Sequence, residues 1–426
     1  MVSSNLHEKL LTTQDRDADI DLLRGALSID SVTGNETGFA AFLKSQMETL
    51  GLETGSGEFL PGRLNVWGQH QPVTGDDAPR LLFVGHTDTV HVRGWQEAWQ
   101  GKPQESPFGG ALIDGEIWGR GACDLKGGIC AALGGLRLLQ KAGYRPAGGL
   151  SFAFIGDEES GEPGTGVSAG AHDLVKRVED GTIAKPDFAV YVEPTRLDVY
   201  TAQIGFFIAD ITITGKSAYF GTPELGVDAL KATHAILGNL WQHEAELAAG
   251  PKHDLVGASS ILVTHINGGG YIAVPGECKL SLIRKLRPGE NLDEAVAAFE
   301  AVVRSAPVAD GIGIGIVYPA GRDHRFGGSP VEISRETPAA LQLSRCVEVA
   351  TNGRNLSGGA IGGAPYWSES PFLVNEIGCP AVYCAPGDIS VAHTFEERIE
   401  VESYLAAVRA FALFVADYCG LEEEAD

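Results

Sequence analysis

His86 and Asp88 stand two apart, directly after the apolar run Leu81-Leu82-Phe83-Val84, so on a pleated backbone both side chains leave on the same face. An imidazole beside a carboxylate is the usual pairing of a metal ligand with the group that orients it. Alone, His-Thr-Asp reads more readily as a polar loop. Asp124 lies in Gly119-Arg120-Gly121-Ala122-Cys123-Asp124-Leu125-Lys126-Gly127-Gly128, a glycine-rich turn of the kind that lets a backbone approach a ligand closely. Such turns also cradle anions, which a carboxylate at the apex disfavours. Asp157-Glu158-Glu159 follows another apolar run, and three successive carboxylates repel one another unless a cation or proton is present. A solvated acidic loop is the competing account. With a cation, neighbouring carboxylates face different ways, so Glu159 ligates and Glu158 reaches the attacking water as general base. Glu193 follows Val-Tyr-Val and precedes Pro194, which stops a strand, and His393 follows a Pro-Gly turn. Two imidazoles mixed with hard carboxylate oxygens suit Zn²⁺, Mn²⁺ or Co²⁺. Five ligands exceed what one tetrahedral ion takes, which favours a pair bridged by Asp124 over a single ion.

These side chains are delivered by a repeated pattern. Leu81–Val84, Leu150–Ile155, Phe188–Val192 and Ala381–Cys384 are apolar runs that end in polar clusters, the signature of an α/β fold with a mostly parallel sheet and a site at the strands' C-terminal ends. Ile129, Leu133, Leu136 and Leu139 predict a helix after Asp124, stopped by Gly143. From about residue 200 the texture changes. Strands at Phe206–Ile213, Ser259–Ile266 and Lys279–Leu286 alternate with helices near Asp228–Ala249 and Asp293–Arg304, a βαββαβ-like α+β insert, and a helix at Thr337–Ala350 follows. The expected division is a catalytic domain from 1–198 and 319–426 with an inserted domain at 199–318.

A chain of 426 residues, 44% of them apolar, fits two packed cores. The net charge of −24 argues against nucleic acid or an anionic membrane as partner, and no run of Lys and Arg offsets it. The polar start and the lack of a long apolar stretch lead to the expectation of a cytoplasmic protein. Seven cysteines without a Cys-x-x-Cys fit reduced thiols, not a disulfide framework or sulfur-bound zinc. The other nine histidines, at 7, 70, 91, 172, 234, 243, 253, 265 and 324, have no comparable carboxylate partner at a strand end and read as surface or packing residues.

The blocks Gly85-His86-Thr87-Asp88-Thr89-Val90, Gly119-Arg120-Gly121 with Asp124 and Lys126-Gly127, Asp157-Glu158-Glu159, Glu193-Pro194-Thr195, and Pro386-Gly387 with Ala392-His393 run nearly end to end. In order and spacing the chain resembles the acetylornithine deacetylase, succinyl-diaminopimelate desuccinylase and carboxypeptidase G superfamily of co-catalytic metallohydrolases. Tyr366-Trp367-Ser368-Glu369-Ser370-Pro371-Phe372 looks most like its deacetylase branch. The resemblance implies ligands His86, Asp124, Glu159, Glu193 and His393, general base Glu158, and Asp88 as the residue that orients His86. It implies that the insert is a lid and dimerisation domain, hence a homo-oligomer of at least two subunits, and that Arg284 grips the carboxylate of a small-molecule substrate.

Two departures bear on the substrate. Gly215-Lys216-Ser217-Ala218-Tyr219 ends in Tyr219 where the family has a histidine that stabilises an oxyanion in a partner's site. Gly269-Gly270-Tyr271-Ile272 has Ile272 where the family has an asparagine. Loss of one oxyanion donor costs about 10²–10³ in rate, so an amidase has reason to keep both. Tyr219, Phe220, Tyr271 and Ile272 instead form an apolar, partly aromatic wall suited to a flat substrate; neutral drift, with the Tyr219 hydroxyl still donating, is the plainer account. The altered lid resembles the family's aromatic aminohydrolase branch, which implies hydrolytic deamination of 5-nitroanthranilate to 5-nitrosalicylate and ammonia. An N-acyl amino acid deacylase or dipeptidase is the alternative. A metal-stabilised binding protein without catalysis is a third reading, against which the retained Glu158 weighs.

Overall fold

Leu81–Val84, Leu150–Ile155, Phe188–Tyr191 and Ala381–Tyr383 lie side by side in one sheet. The computed structural model describes residues 4–73, 75, 78–159, 165–352 and 356–423. The strands Gly149–Ile155, Arg80–His86, Phe188–Tyr191 and Ala381–Tyr383 are adjacent in that order and all parallel. Antiparallel strands continue the sheet, with Glu53–Leu60 and Arg63–His70 on one side and Val199–Gln203 on the other. The parallel strands are buried along nearly their whole length, as expected of strands covered on both faces. Their C-terminal ends carry His86, Glu158 with Glu159, and Glu193 to one edge of the sheet.

The helix Val401–Cys419 is apolar on nearly every side and correspondingly buried. Its Phe411 ring lies 5.2 Å from Phe83, which stacks on Phe152 at 5.6 Å, and its Phe414 meets Phe188 at 6.1 Å. The helix predicted after Asp124 spans Gly127–Lys141 and buries Ile129, Leu133, Leu136 and Leu139, with Gly143 beyond its end at φ +81°. Close approach explains the glycines at its start. A Cβ on Gly128 would sit 2.3 Å from the Val192 carbonyl oxygen, so only glycine lets this helix press against the end of the strand Phe188–Tyr191, just before Glu193.

The chain divides into two compact units: Met1–Thr201 with Ile333–Gly363 and Phe372–Asp426, and Ala202–Glu332 with Ala364–Pro371. The second unit runs further than the 199–318 read from the sequence. Gly327–Gly328 pairs with Phe206–Phe207, and Trp367 Nε1 donates to the Ser329 carbonyl at 3.2 Å. Its sheet has the order Ser260–Gly268, Glu277–Leu286, Gly205–Thr214, Gly313–Val317, all antiparallel. With the helices Ala229–Ala249 and Leu292–Arg304 the main elements run β-α-β-β-α-β. The helices pack on one sheet face through Phe207, Ile211, Leu280, Leu282, Ile236, Leu240 and Phe299, and along Gly205–Thr214 burial alternates with the period of two that this requires. All seven cysteines are buried free thiols. Among the described residues no helix is long and apolar enough to cross a membrane.

Candidate metal centre

The strand ending at His86 delivers a buried imidazole whose Nδ1 lies 2.9 Å from the backbone carbonyl of Asp88. A carbonyl only accepts, so Nδ1 carries a proton and Nε2 faces the site. There Nε2 is 3.0 Å from Asp124 Oδ1 and 3.7 Å from Glu193 Oε1. A second set shares the same aspartate: His393 Nε2 lies 3.2 Å from Asp124 Oδ2 and 3.0 Å from Glu159 Oε1. Asp124 therefore presents one oxygen to each imidazole, as a bridging carboxylate must. His86, Asp124 and Glu159 each offer a ligand atom within 4.8 Å of one another.

The Asp88 carboxylate does a different job from the one expected of it. It is 3.8 Å from His86 Nδ1, and accepts instead from the backbone N–H of Glu158 at 3.3 Å, that of Glu159 at 3.0 Å and the Thr33 hydroxyl at 3.0 Å. Orientation of His86 comes from the main chain of Asp88, while its side chain clasps the segment that carries Glu158 and Glu159. Burial pushes the Asp88 carboxyl up to about 7, against the pull of the His86 charge.

The repulsion within Asp157-Glu158-Glu159 is relieved in part without metal. Arg63 Nη1 bonds Asp157 Oδ1 at 2.8 Å while its Nε bonds Glu36 Oε1 at 2.7 Å, and Asp157 also accepts from the N–H groups of Gly166, Val167 and Ala169. Asp157 is thus a buried structural anion. Glu158 beside it is half-buried and Glu159 buried. Thr33, Glu36, Arg63 and Glu397 are the supporting residues that sequence reading did not find. Each lies far along the chain from what it holds, and none sits at the C-terminal end of a parallel strand, where a site residue would be sought.

The donor set fits divalent ions. Burial opposes charge on His86, yet Asp124 and Glu193 hold its imidazole well above the usual range. The hydrogen bonds that His393 donates to Asp124 and Glu159 raise its imidazole to about 11. Burial would raise Asp124, but its bonds to both imidazoles bring it far below the usual carboxylate range. The site thus gathers positive charge, and nitrogen and oxygen donors in this mixture are what a divalent transition metal takes.

A family model described as Peptidase family M20/M25/M40 matches residues 82–417. The chain belongs to this family. It is similar to the acetylornithine deacetylase of Myxococcus xanthus, at 25% identity over 354 residues, 82% of this chain and 82% of that one. It is also similar to the N-formyl-4-amino-5-aminomethyl-2-methylpyrimidine deformylase of Bacillus subtilis, at 23% identity over 423 residues, 92% of this chain and 91% of the other. In fold it resembles an M20 family metallo-carboxypeptidase from Sulfolobus solfataricus, with TM-score 0.72, 18% identity, and coverage of 94% of this chain and 99% of that one. As an M20 protein the chain is a metal-dependent hydrolase of C–N bonds in small molecules.

The residues expected to face substrate lie in the second unit of this M20 chain. Tyr219 forms an antiparallel bridge with Ala273, and Val274 N donates to the Ala218 carbonyl at 2.8 Å, so the two altered stretches run side by side. Tyr219, Phe220, Tyr271 and Ile272 are all at least 60% exposed, with the Tyr219 and Phe220 rings 4.6 Å apart. Arg284 departs from its expected role. On the strand Glu277–Leu286 burial alternates, and Arg284 shares the inward face with Leu280, Leu282 and Leu286. Only 3% exposed, its guanidinium bonds Glu290 Oε1 at 2.8 Å and the Lys285 carbonyl, so it braces the unit and does not present itself to a ligand.

Proposed function

We propose that this M20 hydrolase removes the amino group of a flat aromatic amine that carries a carboxylate, with 5-nitroanthranilate giving 5-nitrosalicylate and ammonia as the reaction to test. The observation that carries this reading is the joined Tyr219–Phe220 and Tyr271–Ile272 surface, apolar where an acyl-transfer enzyme of the family has two polar donors. A ring stacks on such a surface, whereas the oxyanion of a tetrahedral amide adduct gains nothing from it.

His86, Glu193 and Asp124 would hold one ion, and His393, Glu159 and Asp124 the other. When bound, the ions would orient and acidify the attacking water. Glu158 takes the proton as the water oxygen bonds to the ring carbon, and negative charge spreads through the ring to the nitro group. Glu158 then returns the proton to the nitrogen as the C–N bond breaks, so water and amine become phenol and ammonia. The Asp88 carboxylate fixes the backbone of Glu158 throughout. Assembly as at least a dimer through the 202–332 unit belongs to the same reading.

The curated relatives favour a second reading, an amidase acting on N-acyl groups. One is named for deacetylation of acetylornithine and the other for deformylation of an aminopyrimidine, itself a flat ring. Metal-loaded enzyme offered 5-nitroanthranilate, N-acetylornithine and the formyl-aminopyrimidine separates the two. Ammonia from the first supports deamination; acetate or formate from the others, with no ammonia from the first, replaces it with the amidase reading.

A further inference from the structure

The two-ion site needs two stretches far apart in sequence to meet: the turn at 119–124 that presents Asp124 and the loop at 388–397 that presents His393. Glu397 lies where they meet. It is fully buried, and its Oε1 accepts from the backbone N–H of Gly121 at 3.0 Å, Cys123 at 3.2 Å and Asp124 at 3.0 Å. Its Oε2 takes the Arg120 guanidinium, and its own carbonyl accepts from Gly119 N at 3.2 Å. Next to it, Arg398–Glu400 pairs antiparallel with Glu116–Trp118. The turn is therefore wrapped around a carboxylate. Converging N–H groups of this kind form a nest for an anion, and here the anion is a side chain of the same protein.

Glu397 lies only four positions after His393, whose backbone is at φ +61°, a conformation that a histidine keeps only where its surroundings hold it. One end of Glu397 thus fixes the Asp124 backbone, and its main chain fixes the end of the His393 loop. We infer that Glu397 is the positioning residue for the ion held by His393, Glu159 and Asp124. It sets Asp124 Oδ2 and His393 Nε2 in their 3.2 Å relation without touching ion or substrate itself. The ion of His86 and Glu193 depends on it less, because those ligands are mounted on buried parallel strands. This inference rests on the two-ion reading of the site.

The test is titration of the chelated full chain with Co²⁺, read by calorimetry and by the visible spectrum, which reports coordination. In the wild type two binding steps are expected. In Glu397→Ala one step weakens by about 10–100-fold, the usual effect of removing a group that supports a ligand, and its spectrum changes, while the other step, which shares Asp124 but keeps its strand-mounted His86, weakens clearly less. Glu397→Gln, which retains an acceptor for the three N–H groups, recovers most of the loss. If the alanine variant does not fold by circular dichroism, the glutamine variant carries the test through a smaller weakening confined to the same step. A folded variant whose two steps match the wild type, or weaken equally, overturns the inference. A single Co²⁺ in the wild type overturns the two-ion reading instead.

Discussion

Glu158 and Arg63 separate what the acidic cluster does from what holds it in place. In the proposed mechanism Glu158 stands outside the ligand set and carries the proton transfers, so Glu158→Gln should lower kcat by about 10²–10⁴ while Co²⁺ binding and the melting temperature stay near wild type. An unchanged kcat would remove Glu158 from the mechanism. Arg63 is the opposite case, a cation 9% exposed between Glu36 and Asp157. Its replacement by methionine leaves two buried carboxylates without their partner, and breaking a buried pair in this way costs about 3–5 kcal/mol. Denaturant melts of Arg63→Met should show that loss, and a variant as stable as the wild type would mean that those carboxylates are neutralised by other groups. Tyr219→His tests the substrate reading. It restores the family's donor and removes a ring, so turnover of 5-nitroanthranilate should fall by about 2- to 10-fold, the 0.5–1.5 kcal/mol of an aromatic contact. A gain in ammonia release would count against the deaminase.

Elements were legible in the sequence to the extent that local pattern determines them. Leu81–Val84 and Leu150–Ile155 announce themselves as parallel strands because both faces are buried, and the run from Ile129 to Leu139 as a helix because one face is. The His86, Asp124, Glu159 and His393 side chains come together from strand ends and turns that the sequence marks plainly. Long-range partners were hidden. Nothing near Asp157 points to Arg63, 94 positions away, nor near Asp124 to Glu397, 273 away. Arg284 was misjudged for a different reason: on a strand a shift of one position exchanges the faces, and only the packing shows that its face is the inner one. Packing between elements has its own test at Gly128. A methyl group there meets the Val192 carbonyl at 2.3 Å, so Gly128→Ala must push the Gly127–Lys141 helix away from the strand ending before Glu193. A loss of about 1–3 kcal/mol, with weaker metal binding at the His86–Glu193 ion, is expected from thermal melts and Co²⁺ titration. A stable variant with unaltered metal binding would show that the helix has room to shift.

At the scale of the whole molecule, charge and exposed apolar surface act against each other. The strand Ser260–Gly268 lies at the edge of the second unit's sheet, with Leu262 63% and Ile266 51% exposed, and Trp241 on the helix Ala229–Ala249 is 53% exposed. A sheet edge carrying apolar side chains is a surface that natural proteins cover, and under the dimer proposal a second copy of the chain would cover it by extending the sheet. The net charge of −24 per chain opposes that pairing. Two such chains repel over roughly 10 Å at 0.1 M salt, and the range shrinks to about 3 Å at 1 M, so an association built on apolar contacts should tighten as salt is added. Sedimentation equilibrium should therefore give twice the 44.9 kDa chain mass, with a dissociation constant that falls with rising salt. Leu262→Glu adds a charge on the edge and should move the equilibrium towards single chains at low salt, without loss of Co²⁺ binding by the first unit. A single 44.9 kDa species at every concentration and salt would end the dimer proposal and, with it, any role for Tyr219 in a partner's site.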